Sequence, residues 1–234
     1  MIRRIKADQR YFSDFGWLKT YWLFSFDNYY DPSNMEFGNL RVFNDDVVAP
    51  GSGFPSHSHR EMEIVTVVLS GEVTHKDTTG AQTAIRSGEV QRMSAGTGIS
   101  HSEYNLGSVP VHLYQIWIRP TVRGLAPSYE QRSFEGTDFK NVLVPVASGQ
   151  GFPGVVSMHA DSSIYLSELE NGASIEFNTN HSRAIFVYVG NGQLTLNGHI
   201  IETNDQARIE LEEALAIEAA EASRFILIDV PHRR

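Results

Sequence analysis

Residues 51–71 read GSGFPSHSHREMEIVTVVLSG, and the reading of this stretch decides the fold. It carries His57-Ser58-His59 just ahead of the β-branched run Ile64–Leu69. Successive side chains of a strand point to opposite faces, so His57 and His59 share one face. A second stretch, residues 88–105, reads GEVQRMSAGTGISHSEYN and repeats the spacing as His101-Ser102-Glu103. Two such strands facing each other would bring three imidazoles and one carboxylate to a point, a metal site of nitrogen and oxygen donors. The 234 residues include no Cys, so thiolate ligation is excluded. A His-x-His pair alone is weak evidence, and the weight comes from its frame. Gly51 precedes His57 by six residues, Glu63 follows His59 by four, and Gly71 closes the strand.

Working outward, the rhythm is β almost throughout. Val111–Ile118 (VHLYQIWI), Ala184–Val189 (AIFVYV) and Phe225–Val230 (FILIDV) read as buried strands. Asp77-Thr78-Thr79-Gly80 and Asn197-Gly198 read as turns, the latter because both central residues of a type I′ turn need positive φ. Residues 210–222 have helical propensity, yet their place after Asn204-Asp205 favours strands. Many short strands with Gly and Asn turns predict a sandwich or barrel. The segment 119–131, with Pro120, Gly124 and Pro127, is the linker candidate. It divides the chain into residues 1–130 and 131–234.

The halves echo each other. Gly71-Glu72-Val73-Thr74 matches Gly192-Gln193-Leu194-Thr195, and His57-Ser58-His59 matches His181-Ser182-Arg183. The offset of Ser87-Gly88-Glu89 to Thr203-Asn204-Asp205 puts Ile217 opposite His101 and Ala219 opposite Glu103. The second half therefore reads as a copy of the first barrel with its ligands lost and His181 and Arg183 as a vestige.

Composition narrows the function. Hydrophobic residues make up 41% and charged residues 20%, the balance of a soluble globular protein. A net charge of −9 with scattered Lys and Arg argues against direct nucleic-acid binding, which needs a concentrated basic surface. The basic start, Met1 to Asp8, leads into polar residues rather than the apolar core of a signal peptide. No stretch approaches the roughly 20 apolar residues of a membrane span. A cytoplasmic monomer is expected.

The two frames are similar to the paired boxes of the cupin superfamily, G-x5-H-x-H-x3,4-E-x6-G and G-x5-P-x-G-x2-H-x3-N. Three departures stand out: seven residues between Glu63 and Gly71, Ser94 in place of the proline, and two added residues at Gly96-Thr97-Gly98. These point within the superfamily. The segments Gly16–Lys19, Phe24–Phe26, Phe37–Val42 and Val48–Phe54, together with His57–Val65 and Met93–Asn105, resemble the pirin family, densely over residues 10–120. The resemblance implies an all-β bicupin, two antiparallel jelly-roll barrels. It implies one mononuclear metal, usually iron, in the N-terminal barrel, held by His57, His59, His101 and Glu103. Some bacterial members are quercetin 2,3-dioxygenases, and eukaryotic pirin is described as an iron-dependent transcriptional co-regulator.

Three His and one carboxylate suit a divalent first-row ion, with Fe(II) foremost by resemblance and Zn, Mn, Co, Ni or Cu compatible by donor type. Six-coordination would leave two open positions, as a catalytic site needs. Glu103 is the expected base for a substrate proton. The expected activity is cleavage of a flavonol with O2. The alternatives are a non-enzymatic metal-sensing regulator and a sugar- or polyketide-processing cupin, the latter a poor match to these segments. Glu63 lies in phase with His57 and His59 in a regular strand and could support them, or be a surface carboxylate. His75 and His112 read as structural. Trp17, Trp22, Phe24 and Phe26 read as strand packing, with a pocket entrance as the alternative, and Lys19 and Arg41 as surface charges.

Overall fold

The structure, a computed structural model, describes residues 1–232. Among these residues the chain is built from strands, apart from one 3-10 turn at Ala7–Gln9. No helix there is long and apolar enough to cross a membrane. The segment expected to be extended despite its helical propensity is so: it contributes the end of Gln206–Glu210 and the strand Ala214–Ala219.

The strands form two pairs of sheets with one topology. In the first half a seven-stranded sheet runs in the order Ser128–Ser133, Glu89–Ser94, Glu63–Ser70, Val111–Ile118, Leu40–Val48, Leu18–Trp22 and Tyr11–Asp14. It faces a four-stranded sheet ordered Ser52–His59, Ile99–Asn105, Glu72–Asp77 and Gln82–Arg86. In the second half the seven strands are Ile2–Ile5, Gln206–Glu210, Arg183–Asn191, Ser223–Pro231, Ser163–Leu169, Val144–Ser148 and Val156–Ser157. Its four-stranded sheet is Ser174–Asn178, Ala214–Ala219, Gln193–Leu196 and His199–Glu202. Among the described residues the named strands all pair antiparallel except Val144–Ser148 with Val156–Ser157, and an isolated parallel bridge joins Lys140 to Glu168. The edge strands cross over: Ile2–Ile5 pairs with Gln206–Glu210 of the second half, and Ser128–Ser133 pairs with Glu89–Ser94 of the first. Irregular backbone over residues 119–127 precedes that crossing.

Alternation along the strands builds three apolar layers. Within the first half, Leu18, Val48, Val68 and Leu113 of the large sheet meet Val73 and Ile85 of the small one. Within the second, Ile185, Val187, Val189 and Leu227 meet Leu194, Leu196, Leu215 and Ile217. The opposite faces of the two large sheets pack on each other through Phe43, Val65, Val67 and Ile116 against Phe186, Tyr188, Ile226 and Ile228. The Phe43 ring lies 5.3 Å from Phe186 and 5.1 Å from Tyr188. Full burial of each such side chain is worth about 1.5–3 kcal/mol, so the interface between halves is as much a core as either interior. Its polar centre is Asp45, which accepts from the Tyr188 hydroxyl at 2.6 Å and lies 2.6 Å from His112 Nε2. His112 is thus structural, as expected.

Candidate metal centre

The two His-bearing strands are direct neighbours, with His101 paired to His57 and Ile99 to His59. Beyond His101 the register shifts, so that Glu103 faces Phe54. The extra residue lies near Pro55, which cannot donate to a ladder and belongs at a bulge. Gly53 permits the close approach there: a Cβ on it would stand 2.1 Å from the Glu103 carbonyl oxygen. The added Gly96-Thr97-Gly98 also has a steric reason. A Cβ on Gly96 would lie 2.1 Å from the Leu125 carbonyl, which accepts from Thr97 N.

The result is a cluster of three imidazoles. Ring centroids are 4.4 Å apart for His57 and His101, 4.8 Å for His57 and His59, and 4.9 Å for His59 and His101. One nitrogen of each lies within 4.8 Å of the others. Glu103 is within the same distance of His101 and of His75, rather than joining all three imidazoles of the first set. His57 Nδ1 lies 2.8 Å from the Pro55 carbonyl, which can only accept, so Nδ1 is the donor there and Nε2 is the nitrogen left for a ligand role. Nε2 of His59 and of His101 is buried with no hydrogen-bond partner. Buried nitrogens without partners are rare and costly, and a cation between them would remove that cost. The donor set thus suits a divalent metal ion.

Charge is arranged to match. Burial, then the neighbouring His57, holds His59 down to about 4, and burial and the other imidazoles hold His101 well below the usual range. Both rings are therefore neutral, as ligation requires. Burial pushes Glu103 up to about 7, against the hydrogen bond from Gln115 Nε2 at 3.1 Å. Trp117 Nε1 in turn donates to Gln115 Oε1 at 3.3 Å, fixing which end of the amide meets Glu103. Burial also lifts Asp46, deeper in the same interior, to about 7.

The cluster opens into a cavity of about 370 Å³ whose walls include Phe15, Trp17, Trp22, Phe26, Phe54 and Trp117, with Asn44, Asp46 and Gln115 as polar lining. That is the size and character of a small-molecule site, apolar with a few convergent polar groups. Trp17, Trp22 and Phe26 hence serve the pocket as well as packing. Phe24 does not: it is 1% exposed and packs on Phe186 between the halves.

Two other expectations change. Glu63 does not support the histidines. The turn at Glu61, with φ +52°, breaks the strand's phase, and the Glu63 carboxylate accepts from Ser94 Oγ at 2.8 Å and His159 N at 3.1 Å. His181-Ser182-Arg183 is not a displaced ligand pair either. The strand in the place of Ser52–His59 is Ser174–Asn178, while His181 is exposed in the turn after it and Arg183 bridges Asp161 and Asp229, both at 2.9 Å. The sequence reading missed the contact of His75 with the site, although His75-Lys76-Asp77 has the same i, i+2 spacing as the two ligand pairs.

Known proteins are similar to this chain along most or all of its length. The family model described as Pirin matches residues 5–118, and that for a quercetinase C-terminal cupin domain matches residues 145–230. A quercetin 2,3-dioxygenase of Escherichia coli is 42% identical over 232 residues, covering 99% of each chain. A pirin-like protein of Caulobacter vibrioides is 38% identical over 230 residues, 98% of this chain and 99% of that one. The crystal structure of the bacterial pirin YhhW from Escherichia coli in complex with nickel(II) superposes with a TM-score of 0.94 at 41% identity, covering 100% of both chains.

Proposed function

The chain belongs to the pirin family, and from that premise we propose that it is a metal-dependent dioxygenase that opens the central ring of a flavonol such as quercetin. His57, His59 and His101, with Glu103, would hold one divalent ion. Fe(II) is the ion implied by the family, and nickel(II) is the ion in the related structure. When bound, such an ion supplies Lewis acidity toward an ionised hydroxyl and redox access to O2.

The chain's own residues would do the rest. Trp17, Phe26, Phe54 and Trp117 offer flat apolar faces to flat aromatic rings and exclude water from them. Glu103 accepts the proton of the flavonol 3-hydroxyl, a role suited to a carboxyl held near neutrality. Gln115, fixed by Trp117, keeps the carboxylate aimed at that hydroxyl. The reaction consumes one O2, cleaves two bonds to the ring's carbon 3, releases that carbon as carbon monoxide, and returns the proton to the opened product.

The observation that carries this reading is the convergence of three imidazoles, two with buried unpartnered Nε2 atoms, on an aromatic cavity beside a buried carboxyl. The test is an oxygen electrode with quercetin and protein loaded in turn with Fe(II), Mn(II), Co(II), Ni(II) and Cu(II). Oxygen uptake with carbon monoxide release is expected, and its loss in His59→Ala with an unchanged circular dichroism spectrum. No uptake with any of these ions would sink the enzyme reading for this substrate.

A further inference from the structure

Behind His101, on the side away from His57 and His59, the strand Glu72–Asp77 brings a second polar pair. In the ladder Asp77 is paired with His101 and His75 with Glu103. Both side chains of the pair are fully buried, and Asp77 Oδ2 lies 2.8 Å from His75 Nε2. The other carboxylate oxygen, Oδ1, accepts from Thr79 N at 2.8 Å, Thr79 Oγ1 at 2.6 Å and Ala81 N at 3.3 Å. Three donors on one oxygen hold Asp77 as an acceptor, so the proton between it and His75 sits on His75 Nε2. His75 Nδ1 is then a lone pair, and it points at His101 Nδ1, 3.5 Å away. The Tyr129 ring, tied to Gln131 by its hydroxyl, packs against the His75 imidazole at 4.8 Å.

We infer that Asp77 and His75 form a positioning relay that keeps the proton of His101 on Nδ1 and its Nε2 lone pair facing His57 and His59. A carboxylate behind a ligating His commonly sets the tautomer in this way; here a second imidazole is interposed. The second half of the chain sharpens the point. There the strand Gln193–Leu196 sets Leu196 against Ile217 and Leu194 against Ala219. The polar pair thus occurs where the His cluster is, and apolar residues stand where it is not. The inference rests on the reading of His101 as a metal ligand.

The test uses Asp77→Asn and His75→Gln in the full chain, with nickel(II) as the probe. In Asp77→Asn the amide oxygen must stay with the two backbone N–H groups of the turn, so its NH2 faces His75. That moves the His75 proton to Nδ1 and turns His101 to the Nε2–H form, as exchange of an orienting carboxylate for its amide does elsewhere. The nickel dissociation constant should rise by about 10- to 100-fold. His75→Gln keeps the order of donor and acceptor, with NH2 toward Asp77 and oxygen toward His101, and should bind nickel more tightly than Asp77→Asn. Nitrogen-15 spectra of the metal-free proteins read the tautomer directly: Nδ1–H for His101 in wild type, Nε2–H in Asp77→Asn. A wild-type His101 already in the Nε2–H form, or unchanged nickel affinity in Asp77→Asn, overturns the relay. So does a second nickel per chain that His75→Gln removes, which would make His75 a ligand. If wild type takes up no nickel, the metal reading itself fails, while the metal-free spectra still decide the relay.

Discussion

The two halves share one sheet order, but the first interior adds a polar cluster to its apolar layer while the second is apolar. In the first, Thr20, Asn44, Asp46, Thr66, His75, Asp77, His101, Glu103 and Gln115 are all buried polar groups. In the second, the same framework encloses Ile185, Val187, Leu194, Leu196, Leu215 and Ile217, each at most 1% exposed. The first interior leaves Asn44 Oδ1 and Gln91 Oε1 buried without partners, in addition to the two His nitrogens. Each such atom costs about 1–3 kcal/mol. The comparison teaches that one order of strand pairing accommodates two different interior fillings. The polar filling of the first half works against stability, as expected of a functional site, while the second half and the aromatic interface supply apolar burial that offsets it.

The strongest way to break the comparison is to exchange the fillings. Leu196→Asp puts a carboxylate where the second half has neither a His nor a donor-rich turn to meet it. It should cost more than about 4 kcal/mol, in the range reserved for unpaired buried charge, measured by urea unfolding. Next is the shared interface. Phe186→Ala should cost about 3–5 kcal/mol, with unfolding still a single transition because Phe186 touches Phe24 and Phe43 of the first half. Two transitions would show that the halves are independent.

The third prediction concerns pH. The buried Glu103 carboxyl is raised to about 7 from 4.5, so the folded metal-free state holds its proton when the unfolded state has lost it. Its stabilising contribution is complete below about pH 4.5 and is lost as pH rises through about 7; Asp46 acts in the same sense from 3.8. His59, lowered to about 4, acts oppositely, and its penalty is confined to pH values below about 6.5. Glu103→Gln should therefore stabilise the metal-free protein at pH 8 by about 1–3 kcal/mol relative to pH 5. Equal effects at both pH values would contradict a buried neutral carboxyl. The smallest effect is expected at the pocket mouth. Trp17→Ala removes one aromatic wall, packed edge-on against Phe54 at 5.1 Å. It should raise KM for quercetin roughly fivefold, about 1 kcal/mol, with little change in kcat.

Much of this was legible in the sequence because it rests on period-two geometry. His57-x-His59 and His101-x-Glu103 announce shared faces wherever they occur, and their glycines mark the bulge and the close approaches that aim them. Glu63 departs from the expected face because the turn at Glu61, at positive φ, interrupts the strand's phase. Phe24 parts from its aromatic neighbours because Leu23 and Phe24 lie beyond the end of the strand Leu18–Trp22 and turn into the interface. The crossing of the edge strands Ile2–Ile5 and Ser128–Ser133 leaves little trace in a short or polar segment, where one face is not fully covered. His75 and Asp77 carried the right spacing without a glycine frame to single them out.

The central claim is that one half of this chain, and not the other, holds a metal ion at the three histidines. Calorimetric titration of metal-free wild type and His101→Ala with nickel(II) tests it most directly. One ion per chain in wild type, and none in His101→Ala with the fold intact, is the predicted result. Two ions per chain, or undiminished uptake by His101→Ala, would contradict it.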